Sequence, residues 1–323
     1  MNALAESSRI ELWLELETRC NLACKFCYNY WKDGSSPAPD SRSTAEISSA
    51  LTLLIDKVGL TQVAFSGGEP LLRHDLSELI SLVRSYDVPV IVTTNGTLLG
   101  RERIESLRKA GVSSFQVPIH SHRSEIHDLL TGSPSWEAAL AAIIRLREVG
   151  SPVVPVFVAT TMNLDHFPRV LEMLAQLGIK KSIFNRFIPT GLGNLFKNEI
   201  GVPNDVRLAE IISEADETAH RCGVEVQLGT PVEVSTSVSA NWRNVKLASC
   251  PIEVGQRRWA LSSDLNLRRC NQSGTHVGSV FGTGLETVLA ESKQKERGDS
   301  KAIRGCAHLK TDSLVQLRPI SKR

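Results

Sequence analysis

Residues 10–27 of this 323-residue chain read IELWLELETRCNLACKFC, a run typical of a β-strand followed at once by three cysteines. Cys20, Cys24 and Cys27 therefore belong to one loop after the first predicted strand. Thiolate sulfur is the usual ligand of iron–sulfur clusters, and short spacings let successive sulfurs reach adjacent corners of a small cube. The loop is predicted to bind such a cluster. A zinc site with a distant fourth ligand and a set of small buried hydrophobic residues are the alternatives.

From residue 10 to about residue 190, short β-branched runs alternate with amphipathic segments, which is typical of repeated βα units around a parallel sheet. The predicted strands are Ile10–Thr18, Gln62–Ser66, Val88–Thr94, Ser114–His120, Val153–Thr161 and Ser182–Ile188. The predicted helices between them are Thr44–Val58, Leu76–Tyr86, Arg101–Ala110, Trp136–Val149 and Phe167–Leu177. This pattern predicts an α/β fold, a partial (β/α)6 TIM-like barrel, with its chemistry at the C-terminal ends of the strands.

The pattern changes after Gly191. A helix is predicted from about Asp205 to Cys222, then a β-rich stretch with Trp259–Leu261 and Leu265–Arg269, and a last helix near Leu285–Ser292. We place a boundary in the turn at residues 189–194, which gives a barrel domain over residues 1–192 and a small α+β domain over residues 193–323.

Composition excludes some functions and favours others. The chain has 37 lysine and arginine residues against 35 acidic ones, and a net charge of +2 provides no field to recruit nucleic acid or a membrane surface. Residues 1–9 lack an apolar signal core, and no stretch is long enough to span a bilayer, so we expect a cytoplasmic protein. Seven cysteines, an odd number in a reducing compartment, favour metal binding over a disulfide framework.

Two further short motifs follow the second and third predicted strands. Residues 66–70 read SGGEP, in which the glycines let the backbone approach a ligand and the carboxylate can pair with a ligand ammonium group. Residues 93–96 read TTNG. Each motif alone is typical of an ordinary turn, but their order after successive strands indicates one site.

The CX3CX2C spacing, the aromatic residue before the last cysteine and the two motifs resemble the radical S-adenosylmethionine (SAM) superfamily. The resemblance implies a catalytic [4Fe–4S] cluster on the three cysteines, with its fourth iron open for SAM. It also implies reductive cleavage of SAM to a 5′-deoxyadenosyl radical that takes hydrogen from a substrate carbon, with a flavodoxin- or ferredoxin-type electron donor. The cofactor contacts that it implies are at Phe26, Gly67, Gly68, Glu69, Pro70, Thr94, Asn95, Asn163 and Arg186.

Two of these positions have structural alternatives. The planar guanidinium of Arg186 can bind a cofactor carboxylate with two hydrogen bonds, but a structural salt bridge is an equally good interpretation. Asn163 is also a residue type that caps helices.

Three later cysteines, Cys250, Cys270 and Cys306, lie beyond the predicted barrel. Their layout resembles a twitch domain, the shortened form of the SPASM domain, and implies an auxiliary [4Fe–4S] cluster. Scattered buried cysteines or a zinc site are the alternatives. The expected C-terminal CxxC pair lacks its second cysteine here, because Cys306 is followed by Ala-His-Leu. The fourth ligand is therefore open among His308, Asp264, Asp312, Cys222 or none.

The substrate is inferred from weaker features. Residues 116–132, which include His120, His122 and His127, resemble maturases of ribosomally made peptides, so modification of a peptide by cross-linking, oxidation or epimerisation is predicted first. The chain starts almost at its first strand, with no separate peptide-recognition module, which leaves room for a sugar or aminoglycoside-type small molecule. Cys222 is either an ordinary helix-end residue or a hydrogen-atom donor to a substrate radical. A zinc-binding protein and an electron-transfer module are the non-catalytic alternatives.

Overall fold

The computed structural model describes residues 10–34, 37–235, 239–248, 250 and 258–292, and eleven strands lie within them. They are β1 (Ile10–Glu17), β2 (Leu60–Gly67), β3 (Val90–Thr93), β4 (Ser114–Pro118), β5 (Val153–Ala159), β6 (Lys181–Arg186), β7 (Glu225–Leu228), β8 (Val245–Lys246), β9 (Arg258–Leu261), β10 (Asn266–Arg268) and β11 (Gly278–Ser279). All six predicted barrel strands are confirmed.

These strands form one sheet in the order β11-β10-β9-β1-β2-β3-β4-β5-β6-β7-β8. Strands β1 to β6 pair in parallel with their neighbours in chain order, as expected for an incomplete barrel. Strand β7 continues the sheet in parallel beyond β6, and β9 pairs in parallel with β1 at the other side. The predicted boundary at residue 192 thus falls between two strands of one sheet, and the division into domains stays a prediction.

Nine helices lie within the described residues, and α4 and α7 pack against the cysteine loop. They are α1 (Thr44–Lys57), α2 (Leu76–Arg84), α3 (Arg101–Ala110), α4 (Ser124–Thr131), α5 (Trp136–Glu148), α6 (Phe167–Gln176), α7 (Leu192–Ile200), α8 (Asp205–Cys222) and α9 (Thr283–Ser292). The predicted helices are confirmed to within a few residues. The sequence did not predict α4 and α7, which are short and have no side-chain hydrogen bond at their N-caps.

The main hydrophobic core lies between the sheet and these helices. Leu12 and Leu14 of β1 and Leu51 and Leu54 of α1 are fully buried in it. Trp13 lies on the other face of β1 and lines the cavity on the concave side of the sheet. Within the described residues, no helix combines the length and the apolar character that a membrane crossing needs.

Candidate active site

A cavity of about 1020 Å³ lies inside the curve of the sheet and reaches the loops after its strands. Side chains of β1, β3, β5 and β7 all line it, so the sheet wraps around it. Cys20, Cys24 and Cys27 line the cavity, and so do Cys250 and Cys270. The structure therefore brings two groups of cysteines, far apart in sequence, to one space.

The cysteine triplet occupies the loop after β1. Burial raises the pKa of the Cys24 thiol well above its ordinary value, and the nearby Cys27 and Cys20 raise it further. Within the described part of the chain, no three histidine, cysteine or acidic side chains are grouped closely enough to hold a single metal ion. Three neighbouring thiols whose charged forms repel one another suit the donor set of a positively charged iron–sulfur core.

The SGGEP loop after β2 packs tightly against the segment that leads into the triplet. The Gly68 amide donates to the Glu17 carbonyl at 2.6 Å, and the Glu69 amide donates to the Arg19 carbonyl at 2.9 Å. A β-carbon at Gly68 would lie 2.0 Å from the Arg19 carbonyl oxygen, and one at Gly67 would lie 2.5 Å from that of Glu17. These two glycines thus let the SGGEP loop approach the backbone of residues 17–19, just before Cys20.

The Glu69 side chain joins the loops after β2 and β3. Its carboxylate is fully buried and accepts from Thr94 Oγ1 at 2.7 Å, from the Asn95 amide at 2.8 Å and from the Leu71 amide at 3.0 Å. Burial raises the pKa of Glu69 despite these hydrogen bonds. Glu69 and the following Pro70 do not line the cavity, whereas Gly67, Gly68, Thr94 and Asn95 do. A cofactor contact at Glu69 stays a prediction.

Asn95 brings the loop after β3 to the triplet. Its side-chain amide donates to Asn21 Oδ1 at 2.8 Å and approaches Cys20 Sγ at 4.0 Å. Asn21 in turn donates to Thr97 Oγ1 at 2.8 Å. The cysteine loop and the loops after β2 and β3 therefore form one connected rim of the cavity.

His120, just beyond β4, is a buried side chain that lines the cavity next to the cysteine loop. Its Nδ1 accepts from the Val158 amide at 3.2 Å, which places the ring proton on Nε2. That Nε2 has no hydrogen-bond partner within the described residues, and the side chain lines the cavity. Phe26 of the cysteine loop meets the His120 ring edge-on, with 4.5 Å between centroids.

Asn163 supports His120 from behind and does not line the cavity. Its Nδ2 donates to the His120 carbonyl at 2.8 Å and to the Val158 carbonyl at 2.9 Å. Its Oδ1 accepts from the Thr160 amide at 2.7 Å. These contacts show Asn163 holding the turn after β5, and its predicted cofactor contact stays a prediction.

Arg186, the last residue of β6, lines the cavity and forms an ion pair with Asp205. Its Nη2 also donates to the Pro203 carbonyl at 3.2 Å, while Nε has no partner among the described residues. The structural salt bridge is therefore present, and the predicted cofactor contact at Arg186 stays a prediction.

Helix α7, which the sequence did not predict, supports the cysteine loop from behind. Gly191, at φ +53°, precedes the helix, and a β-carbon there would lie 2.4 Å from the Asn29 carbonyl oxygen. The Gly193 amide donates to the Cys27 carbonyl at 2.9 Å. The glycines of this segment, where the sequence predicts a domain boundary, let a helix pack directly on the cysteine loop.

The second cysteine group is only partly described. Cys250 and Cys270 line the cavity, and Cys270 Sγ accepts from the Gln272 amide at 3.4 Å. Cys306, His308 and Asp312 lie outside the described residues. Asp264 is engaged in the turn before β10, where it accepts from Ser262 and Asn266.

Cys222 is not brought to the cavity. It ends α8 immediately before β7, whereas the triplet follows the C-terminal end of the parallel strand β1. It packs instead against the main hydrophobic core. The hydrogen-donor role suggested for Cys222 stays a prediction that this placement does not favour.

Two curated relatives of the chain come from Methanosarcina barkeri. The chain is 27% identical to an Fe-coproporphyrin III synthase over 277 residues, which is 85% of this chain and 67% of the relative. It is 31% identical to an AdoMet-dependent heme synthase over 195 residues, which is 60% of this chain and 55% of the relative. The matched segments thus span about half to two thirds of the lengths of these relatives.

Solved structures share the fold at low sequence identity. Streptococcus suis SuiB bound to its precursor peptide SuiA superposes with a TM-score of 0.70 at 14% identity, over 95% of this chain and 74% of SuiB. The anSMEcpe protein with bound AdoMet superposes with a TM-score of 0.66 at 15% identity, over 86% of this chain and 80% of that protein.

The family model of the radical SAM superfamily matches residues 14–181, from β1 into β6, which is more than half of the chain. The matched region contains the triplet and the loops after β2 and β3 that form the cavity rim with it. The chain belongs to the radical SAM superfamily.

Proposed function

We propose that the chain holds a [4Fe–4S] cluster on Cys20, Cys24 and Cys27 and uses it to cleave SAM and abstract hydrogen from a substrate carbon. The observation that carries this proposal is the placement of the three thiols on one cavity, beside the loops after β2 and β3. Family membership supports it, because the matched region contains all of these elements.

When bound, the cluster would pass one electron, from a flavodoxin- or ferredoxin-type donor, to SAM and so release methionine and a 5′-deoxyadenosyl radical. The residues of the chain would bind and orient the cofactor and keep water away from it. Gly67, Gly68, Thr94 and Asn95 line the cavity next to the triplet, and Arg186 lines it from β6. Phe26 and His120 both line the cavity, and their rings contact each other edge-on.

The second cysteine group is proposed to hold an auxiliary [4Fe–4S] cluster on Cys250, Cys270 and Cys306. The opening of Cys250 and Cys270 onto the cavity of the triplet supports this proposal. If these cysteines hold a cluster, Cys250 and Cys270 would place it at the wall of the cavity, where it would supply electron transfer or a substrate-binding iron.

Two substrate classes have support. A peptide, which would be cross-linked, oxidised or epimerised, is supported by the fold likeness to SuiB, whose structure holds a precursor peptide. A tetrapyrrole is supported by the relatives that are named as synthases of Fe-coproporphyrin III and heme. Apolar strand side chains that line the cavity, among them Ile91, Val156 and Ile183, would contact a large flat ligand, and polar strand side chains such as Gln116 and Arg186 would contact its polar groups. We keep the peptide as the first hypothesis and the tetrapyrrole as the second, ahead of a sugar-type molecule.

The cofactor proposal is tested by anaerobic reconstitution with iron and sulfide, followed by dithionite and SAM. The wild-type chain is expected to release 5′-deoxyadenosine, and Cys24→Ala is expected to release none above background. Cys222→Ala is the matched control and is expected to keep the wild-type rate, because Cys222 packs in the core away from the cavity. Full iron content with intact SAM would contradict the proposal.

The substrate classes are separated by binding. An iron coproporphyrin that enters the cavity would shift its strong visible absorption on addition of the reconstituted protein and would raise the yield of 5′-deoxyadenosine. Absence of both effects removes the tetrapyrrole hypothesis. A short peptide encoded beside the gene is the corresponding probe for the first hypothesis, and deuterium from labelled peptide is expected in 5′-deoxyadenosine.

A further inference from the structure

A buried ion pair joins the strands that lead into the two cysteine groups. Glu15 lies in β1 before Cys20, and Arg268 lies in β10 just before Cys270. Both side chains are 0% exposed, and the Arg268 guanidinium pairs with the Glu15 carboxylate. Removing two charges from water costs several kcal/mol for each ion, so a buried ion pair is weak evidence for a gain in stability.

The same guanidinium fixes the turn that carries Cys270. Arg268 Nη1 donates to the Ser273 carbonyl at 2.6 Å and approaches the Asn271 carbonyl at 3.4 Å. Within this turn the Gln272 amide donates to Cys270 Sγ at 3.4 Å. Arg268 therefore holds the backbone on both sides of Gln272, the residue whose amide contacts the Cys270 thiol.

A third contact connects Arg268 to the segment that leaves the triplet. The guanidinium carbon lies 4.9 Å from the centre of the Tyr30 ring, and the Tyr30 hydroxyl pairs with His276 Nε2 at 3.1 Å. One buried cation thus contacts the strand before the triplet, the segment after it and the turn of Cys270. A rigid planar fork with five donors suits this task, whereas the point charge of lysine does not.

We infer that Arg268, held by Glu15, is a positioning residue that sets Cys270 in place relative to the cysteine triplet and so completes the auxiliary metal site. This inference rests on the auxiliary cluster proposed above. It predicts that the auxiliary site depends on the ion pair, while the triplet, whose ligands lie on its own loop, does so much less.

The experiment isolates the auxiliary site in full-length protein that carries Cys20→Ala, Cys24→Ala and Cys27→Ala. After anaerobic reconstitution this background is expected to hold about four irons per chain. The double change Glu15→Gln with Arg268→Met is then added, because removing both charges leaves no unpaired buried ion. Relative to the background protein, we expect an about fivefold loss of bound iron and of the electron paramagnetic resonance signal. The circular dichroism spectrum is expected to be unchanged.

Two further variants distinguish positioning from general support of the fold. Arg268→Lys keeps the charge pair but loses the fork, and it is expected to lose about half of the iron or more and to change the resonance signal of the remainder. The matched control is Glu11→Gln with Arg258→Met, a half-exposed pair at 2.8 Å that also joins β1 to the C-terminal strands. It does not reach the Cys270 turn and is expected to keep all of the iron.

The outcomes separate this inference from the proposed function. A background protein without iron overturns the auxiliary cluster and the inference with it. A background protein that holds iron, together with Glu15 and Arg268 variants that hold the same amount, overturns the inference alone. Equal iron loss in the Glu11 and Arg258 control also overturns it, since the effect would then not belong to the Cys270 turn.

Discussion

At the residue scale, the histidines beyond β4 are a neutral structural pair. Burial lowers the pKa of His127 to about 4, and it lowers the pKa of His120 well below the ordinary value, with His127 adding to the effect. His127 Nδ1 accepts from the His120 amide at 3.1 Å, and the two rings stack with 5.3 Å between centroids. His120 and His127 therefore carry no charge at neutral pH.

This pair makes stability depend on pH in a defined direction. The ordinary pKa of His127 is 6.5 and its folded value is about 4, so between these values the unfolded chain binds more protons. The contribution of His127 to the free energy of unfolding is thus nearly complete at pH 7 and falls as the pH drops towards 4, by about 2 kcal/mol between pH 7 and pH 5. His127→Asn keeps an acceptor for the His120 amide without titrating, and denaturant unfolding at pH 7 and pH 5 should show a smaller loss. The exposed His74→Asn serves as control, and an unchanged loss in His127→Asn would contradict the account.

Glu69 offers a second prediction at this scale. Glu69→Gln keeps the size of the side chain but turns an NH2 group towards one of the donors from Leu71, Thr94 or Asn95. We expect an about 2 kcal/mol lower free energy of unfolding from the unsatisfied buried donor. SAM affinity, measured by calorimetry on reconstituted protein, should fall as the Thr94–Asn95 loop shifts. The exposed Glu148→Gln should change neither quantity, and equal behaviour of the two variants would contradict the assignment.

At the element scale, the N-terminal end of α7 packs against the cysteine loop and is expected to hold it in place. Gly191→Ala would place a methyl group 2.4 Å from a backbone oxygen of that loop, at a residue with φ +53°. Since the backbone must then move, we expect the variant to hold clearly less triplet iron than wild type. Gly223→Ala is the control, because Gly223 also has positive φ, +66°, but a β-carbon there meets nothing within 4 Å. Iron counts per chain test the pair, and equal counts would refute the role of α7.

The same element shows where prediction from sequence stopped. The barrel strands and the triplet follow from local pattern and spacing, because each is encoded in a continuous segment. Helix α7 was not predicted because a glycine-rich sequence is typical of a turn. Gly191 stands just before this helix and Gly193 stands within it, and only the close approach of residues 26–29 explains why glycine is needed at both positions. Glu15 is one of three glutamates in β1, and its buried partner Arg268 lies far along the chain. Local patterns do not report contacts of that kind.

At the scale of the whole molecule, the sheet does not stop where the sequence pattern changes. Residues 1–192 contain β1 and β6, but β9 covers the edge of β1 and β7 covers the edge of β6. Both covering strands belong to the C-terminal half, as does the buried partner of Glu15. The barrel and the region beyond residue 192 are therefore expected to depend on each other for folding.

Expression of residues 1–192 alone tests this dependence. The truncated chain would expose two unpaired parallel edges and leave Glu15 buried without its cation, and the loss of a partner from a buried ion pair costs about 3 to 5 kcal/mol. We expect an aggregating protein without a cooperative thermal transition by circular dichroism, and recovery of soluble protein when residues 193–323 are expressed with it. A soluble 1–192 chain that melts cooperatively near the temperature of the full chain would instead support the boundary predicted from the sequence, and the shared sheet would then be a docking of two units that fold independently.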